Sequence, residues 1–205
     1  METSSGGAPT LIVTCHEGSD YWCTEEVGNY LFPKDPDVRV VRSEHPGVLF
    51  AYTRLDPSVA YRLLIGKEYG FVEAIVPVYG IASDIEGLEE TLRALLKGLG
   101  LKAVKLRVKA LGVRGLSSEI WRRARKVIEG LGIAHDPKSS TCLTIFATRG
   151  AIYVGHGLCK PPFKAGRLYV GSESDGGAHG AGDLEEHREG TGGRHDIQEQ
   201  GEPGA

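Results

Sequence analysis

Residues Lys102 to Lys126 read KAVKLRVKALGVRGLSSEIWRRARK, and the change of period inside that run decides the fold class. Val104, Leu106, Val108 and Ala110 alternate with Lys105, Arg107 and Lys109, the period of a strand buried on one face only. Further on, Ile120, Ala124, Val127, Ile128 and Leu131 recur at helical spacing, with Arg122, Arg125 and Lys126 round the far side. Gly112-Val113-Arg114-Gly115 lies between them as a turn, and Ser117 and Ser118 are expected to cap the helix. A one-faced strand running into an amphipathic helix predicts a mixed α/β (α+β) fold in which helices cover one side of a sheet.

The same run carries charge of one sign, nine Lys or Arg against one acid, Glu119. A basic strand face, a flexible turn and a helix start in succession look like a phosphate-contacting surface, because helix N-terminal amides and Lys or Arg side chains all attract anions. The ordinary alternative is a solvated charged face. If no helix covers that side of the sheet, Lys105, Arg107 and Lys109 stand exposed, since burying them unpaired costs too much. They would then run with Arg114 and Arg122 as one basic track.

Outward from this run, Ser83-Asp84-Ile85-Glu86 has capping-box spacing and opens a helix whose face is Leu88, Leu92, Leu95, Leu96 and Leu99. On the other side His135-Asp136-Pro137 makes a turn, and Thr141 to Thr148 and Ala151 to Val154 are two strands joined at Arg149-Gly150. Residues 83–158 thus form an αβαββ unit. Residues 10–82 read as βαββαβ, the split βαβ or ferredoxin-like order. Its strands are Leu11 to Cys15, Val38 to Val41, Val48 to Thr53 and Phe71 to Tyr79. One helix carries Tyr21, Trp22, Val27, Tyr30 and Leu31, and a second starts at Asp56-Pro57 with Asp as N-cap. Neither unit shows a nucleotide-binding phosphate-loop pattern.

The formal net charge of −3 divides unevenly. Residues 171–205 hold nine acids and two bases and almost no apolar side chains, so they are expected to be a disordered acidic, Gly-rich tail. Residues 1–170 carry 22 bases and 18 acids, which leaves the folded part mildly basic. No apolar run approaches membrane-spanning length and the first nine residues are polar, so a cytoplasmic protein is expected. Cys15, Cys23, Cys142 and Cys159 show no zinc-type spacing, and reduced thiols are the default for such a chain. One Asn, two Gln and one Met fit a thermophilic source, which leaves a Cys15–Cys23 bridge open.

Other candidate residues are weaker. Cys15 and His16 suggest a nucleophile and base, but neighbours on an extended chain point to opposite sides. The turn from Thr14 to Asp20 could instead hold a phosphate on helix N-terminal amides. His45, His135 and His156 lack companions at ligand spacing, so no metal site is expected. His156 stands between Gly155 and Gly157, which permit a tight backbone path. Trp121 either stacks on a base or caps the core.

The second unit resembles a THUMP domain, an RNA-binding module of tRNA-modifying systems. The likeness is carried by the basic strand Val104 to Lys109, Ser117-Ser118-Glu119-Ile120, the Asp136-Pro137 turn and Ile152-Tyr153-Val154-Gly155. A ferredoxin-like unit commonly precedes such a domain. Val13-Thr14-Cys15 with Gly18, Phe50-Ala51-Tyr52-Thr53 and Ile75-Val76-Pro77 are similar to the stand-alone THUMP adaptors of tRNA cytidine acetylation. Glu73 and Ala74 stand where that family would place a basic residue. The resemblance implies a non-catalytic chain, with no cofactor of its own, that presents tRNA to a separate cytidine acetyltransferase. That partner would supply the acetyl-CoA and ATP chemistry of N4-acetylcytidine formation. The RNA-contacting residues would be Lys102, Lys105, Arg107, Lys109, Arg114, Ser117, Ser118, Arg122, Arg125 and Lys126. Two rivals remain: a targeting subunit of a methylation, thiolation or pseudouridylation system, and a small metabolic enzyme using Cys15 or His156.

Overall fold

The computed structural model describes residues 7–112, 115–160 and 164–165. Arg114 and the expected tail, 171–205, lie outside the described residues. The elements begin with β1 (Leu11–Cys15), α1 (Asp20–Leu31), β2 (Arg39–Arg42), β3 (Val48–Tyr52), α2 (Pro57–Leu64), β4 (Glu68–Tyr69) and β5 (Val72–Pro77). They continue with β6 (Gly80–Ala82), α3 (Ile85–Lys97), β7 (Ala103–Ala110), α4 (Leu116–Gly130), β8 (Ala134–His135), β9 (Thr141–Ala147), β10 (Ile152–Leu158) and β11 (Lys164–Ala165).

The first sheet has the order β2-β3-β1-β5 with every neighbouring pair antiparallel, the split βαβ arrangement. Its central strand β1 is buried along its whole length. Leu11, Val13 and Cys15 pack with Val27 and Leu31 of α1 and Ala60 and Leu64 of α2, while Ile12 serves the opposite face. This two-sided burial explains the unbroken apolar run at the start of the chain. Asp56 caps α2 by accepting the Ser58 N–H at 2.8 Å. A Cys15–Cys23 disulfide joins β1 to α1.

The second sheet has the order β6-β10-β9-β7-β8. β7 runs parallel to β9, so the chain must cross over between them, and α4 makes that crossing. Leu88, Leu92 and Leu96 of α3 and Ile120, Ala124, Val127 and Ile128 of α4 cover Val104, Leu106, Leu143, Ile145 and Val154. The alternation in β7 therefore buries its apolar side under two helices.

Several expectations need correction. Ser117 and Ser118 do not cap α4: Gly115, at φ 80°, occupies the cap position without any side-chain bond, and both serines lie exposed in the first turn. Only a residue free to adopt that left-handed conformation can turn the chain into the helix there. Asp84 rather than Ser83 caps α3, accepting the Gly87 N–H at 2.7 Å. Gly80–Ala82, read with the first unit, pairs with β10 in the second sheet. Ala134 and His135 pair with β7, so the expected turn comes later, closed by Ser139 N–H donating to the Asp136 carbonyl at 3.0 Å. The reduced-thiol expectation also fails, because Cys142 is bonded to Cys159 and no cysteine is free.

The two sheets meet through a small apolar cluster of Ile12, Val48, Val78 and Phe146, with Phe50 and Tyr153 against it. Approach is close where side chains are missing. A Cβ at Gly155 would collide with the Pro77 carbonyl oxygen, and one at Gly157 would stand 2.8 Å from the Tyr61 hydroxyl. Finally, β11 returns to the first unit and pairs parallel with β4.

Candidate nucleic-acid interface

Because α3 and α4 cover one face of the second sheet, the alternating partners of Val104, Leu106 and Val108 project from the other. Arg107 and Lys109 are exposed and Lys105 is half-buried. No helix of this unit covers that side; instead β5 and the loops of the first unit lie beside it. The strand register sets the three cations opposite Cys142, Thr144 and Phe146 of β9.

The three cations open into three hollows, one of them shared. Lys109 shares one of about 380 Å³ with Thr14, Gly47, Glu17 and Glu73, so two carboxylates line the same hollow. Thr14 Oγ1 is buried there with no hydrogen-bond partner among the described residues. Arg107 reaches a narrow gap against Val76 and Tyr61. Lys105 and Arg107 also line a hollow of about 390 Å³ with Lys138, Ser139, Ser140 and Lys160. Four cations and two hydroxyls converge there, and no carboxylate lines it.

That hollow is built from three separate stretches of chain. The turn after β8 is shaped by Asp136, whose side chain accepts the Lys138 N–H at 2.8 Å. Ser139 donates its hydroxyl to the Ala103 carbonyl at 3.3 Å, tying the turn to β7. Lys160 follows Cys159, which is held to β9 by the disulfide to Cys142 and by its N–H donating to the Ser140 carbonyl at 2.8 Å. None of the four cations forms an ion pair among the described residues.

The helix cations behave differently. Arg122 is paired with Glu119 at 2.7 Å and Arg125 with Glu129 at 2.6 Å, while Arg125 also lies 5.2 Å from the centre of the Trp121 ring. Hydrogen bonds first from Arg122 and then from Arg123 hold the Glu119 carboxyl below the usual carboxylate range. Lys126 is exposed, as is Lys102 just before β7. Since α4 packs on the apolar side of the sheet, Arg122, Arg125 and Lys126 lie across the sheet from Lys105, Arg107 and Lys109. The single basic track expected through Arg122 is not formed, for the reason that buries Val104 and Leu106: the helix sits on the face opposite the strand cations.

Trp121 packs partly against the helix core and meets the His135 ring edge-on at 5.8 Å. His156 stacks on Tyr79 at 4.4 Å, and burial pushes its imidazole below the ordinary histidine range. Cys15 offers no thiol, being bonded to Cys23. Sequence reasoning missed Lys138, Ser139, Ser140 and Lys160, which carry no local pattern and meet only when the β9–β10 hairpin closes. Among the described residues no helix is long and apolar enough to cross a membrane.

No protein-family model matches the sequence, and no curated protein matches it. The fold is similar to that of PH1313 from Pyrococcus horikoshii Ot3, with a TM-score of 0.55 at 15% identity over 73% of this chain and 54% of that one. It is also similar to TrmN from Thermus thermophilus, with a TM-score of 0.52 at 14% identity over 75% of this chain and 46% of that one. The chain spans about half the length of these two proteins, and what it shares with them is the fold.

Proposed function

We propose that this chain is a THUMP-domain tRNA-binding adaptor, without catalysis of its own, that presents tRNA to a separate cytidine acetyltransferase. The observation that carries the reading is the convergence of Lys105, Arg107, Lys138 and Lys160 around one hollow lined by no carboxylate. Unpaired cations held on a rigid strand and two anchored loops suit a phosphodiester backbone, whose neutralisation releases counterions. The THUMP-like motifs in the second unit and the fold shared with PH1313 and TrmN support the same reading. The exposed Lys102 would extend the contact; Ser117, Ser118, Arg122, Arg125 and Lys126 belong to α4, across the sheet from this hollow, and Lys109 opens into a separate hollow with Glu17 and Glu73.

Binding of tRNA to the full chain at several salt concentrations tests the site. Lys105→Glu, Lys138→Glu and Lys160→Glu should each weaken binding and lower the salt slope by about one; unchanged affinity in all three would remove this hollow from the interface. Mass spectrometry of tRNA nucleosides from a deletion strain tests the pathway. Loss of acetylcytidine alone supports the acetylation role, and loss of another modified nucleoside assigns the chain to a different system.

A further inference from the structure

Helix α1 presents an aromatic surface that the cationic hollow does not use. Tyr21 and Trp22 are 55% and 56% exposed, although side chains of this size ordinarily bury most of their area. They are nevertheless ordered against each other. The two rings meet edge-on at 5.2 Å, and Trp22 stacks on Phe71 at 6.0 Å with 19° between the planes. The Phe71 backbone is fixed in turn, because Glu26 accepts the N–H groups of Gly70 at 2.6 Å and Phe71 at 3.2 Å. The Phe71 carbonyl accepts the His16 N–H at 3.0 Å. The Cys15–Cys23 bridge pins the adjoining turn of α1. The aromatic shelf is thus preorganised while its outer face stays in water.

The rim of the shelf is acidic. Glu25 is exposed and lies three and four positions from Trp22 and Tyr21 on the same helix. Glu17 is exposed on the turn leading into α1, and Glu73, two residues beyond Phe71, is exposed and pairs with His16 at 3.1 Å. These carboxylates repel nucleic-acid phosphates. They equally repel residues 171–205, with their nine acids and two bases. A cationic side chain is attracted twice, by the ring faces and by the carboxylates beside them.

We propose that this shelf docks a basic segment of a protein partner, with an Arg or Lys side chain lying over Trp22 and paired to Glu25. The proposal rests on the adaptor reading, in which a chain without catalysis must hold an enzyme and an RNA together. Opposite charge on the shelf and on the Lys105–Lys160 hollow keeps the two ligands from competing for one surface.

The test follows the indole N–H of Trp22 and the amides of Glu25 and Phe71 by nuclear magnetic resonance. The full chain is titrated with a short alternating arginine–leucine peptide, with a glutamate–leucine peptide as control. Saturable shifts centred on Trp22 are expected with the arginine peptide alone. Binding should weaken by about two- to fivefold in Trp22→Ala, the worth of one exposed cation–π contact, and also fall in Glu25→Lys, with tRNA affinity unchanged in both. Both residues are exposed, so the fold is kept. Shifts confined to residues 171–205, or equal peptide affinity in wild type and both variants, overturn the proposal. So does lost tRNA affinity in Trp22→Ala, which makes the shelf a base-stacking surface, and so does self-association abolished by that variant, which makes the occupant a second copy. Failure of wild-type tRNA binding would instead overturn the adaptor reading and leave the peptide result standing.

Discussion

The Tyr61 hydroxyl accepts the backbone N–H of Leu158 at 3.0 Å, joining α2 of the first unit to the end of β10 across 97 residues of sequence. Its ring also fills the space beside Gly157. Tyr61→Phe keeps the ring and orphans the N–H, so a loss of about 1 kcal/mol is expected. A lower urea midpoint at unchanged slope would show it.

Gly155→Ala should cost more. Its new methyl group falls where the Pro77 carbonyl oxygen stands, and that oxygen belongs to backbone that cannot turn aside as a side chain can. About 1–3 kcal/mol is expected, against almost nothing for Gly150→Ala, where a Cβ meets no neighbour. Paired thermal melts decide between them.

The Cys142–Cys159 bridge spans a sequence separation of 17 residues. Replacing both with Ser should lower stability by about 3 kcal/mol through the freed unfolded chain. If the chain binds tRNA as proposed, binding should also weaken, because Lys160 loses one of the two anchors that hold it beside Lys105. Chemical denaturation with and without reductant checks the first effect, and binding isotherms check the second.

Titration should shape stability at both ends of the pH scale. Burial raises the phenol pKa of Tyr61, Tyr69, Tyr79 and Tyr153 above the ordinary value. The unfolded chain ionises first as pH climbs, so their contribution is intact below about pH 10 and is lost above it. On the acid side Asp35 is 4% exposed and accepts from the Thr53 hydroxyl at 2.6 Å and the Arg54 N–H at 2.7 Å. These bonds, the Thr53 bond foremost, lower its pKa. Its contribution is therefore present above the ordinary carboxylate range and disappears as pH falls through the lowered value. Urea midpoints measured across pH should fall at both limits, and Asp35→Asn should flatten only the acid one.

The parts legible in the sequence were those with a local period. β7 announces itself because Val104, Leu106 and Val108 need one wet side, and α3 because its leucines need one dry one. Two-residue strands such as β4 and β8 have no period to show, and they exist only because a partner strand far along the chain presents free backbone groups. The cation site was half legible for the same reason. Lys105 and Arg107 lie on a patterned strand, whereas Lys138 and Lys160 sit in turns separated by the whole β9–β10 hairpin. Charge density pointed equally to Arg122 and Arg125, yet charge alone does not reveal that Glu119 and Glu129 stand at pairing distance. The spacing of Cys142 and Cys159 matches no ligand motif, and only the register of β9 with β10 brings them together.

The parallel pairing of β11 with β4 has a consequence for cooperativity. A chain that leaves the second sheet and lays its next strand against the first makes fraying of its C-terminal end a disturbance of both units at once. Together with the Tyr61–Leu158 bond, it couples the melting of one sheet to that of the other. The molecule should therefore give a single calorimetric transition, with van't Hoff and calorimetric enthalpies equal. Ending the chain at Lys160 removes β11 but keeps the Tyr61–Leu158 bond and the Ile12–Phe146 cluster, so it should lower the midpoint while leaving one transition.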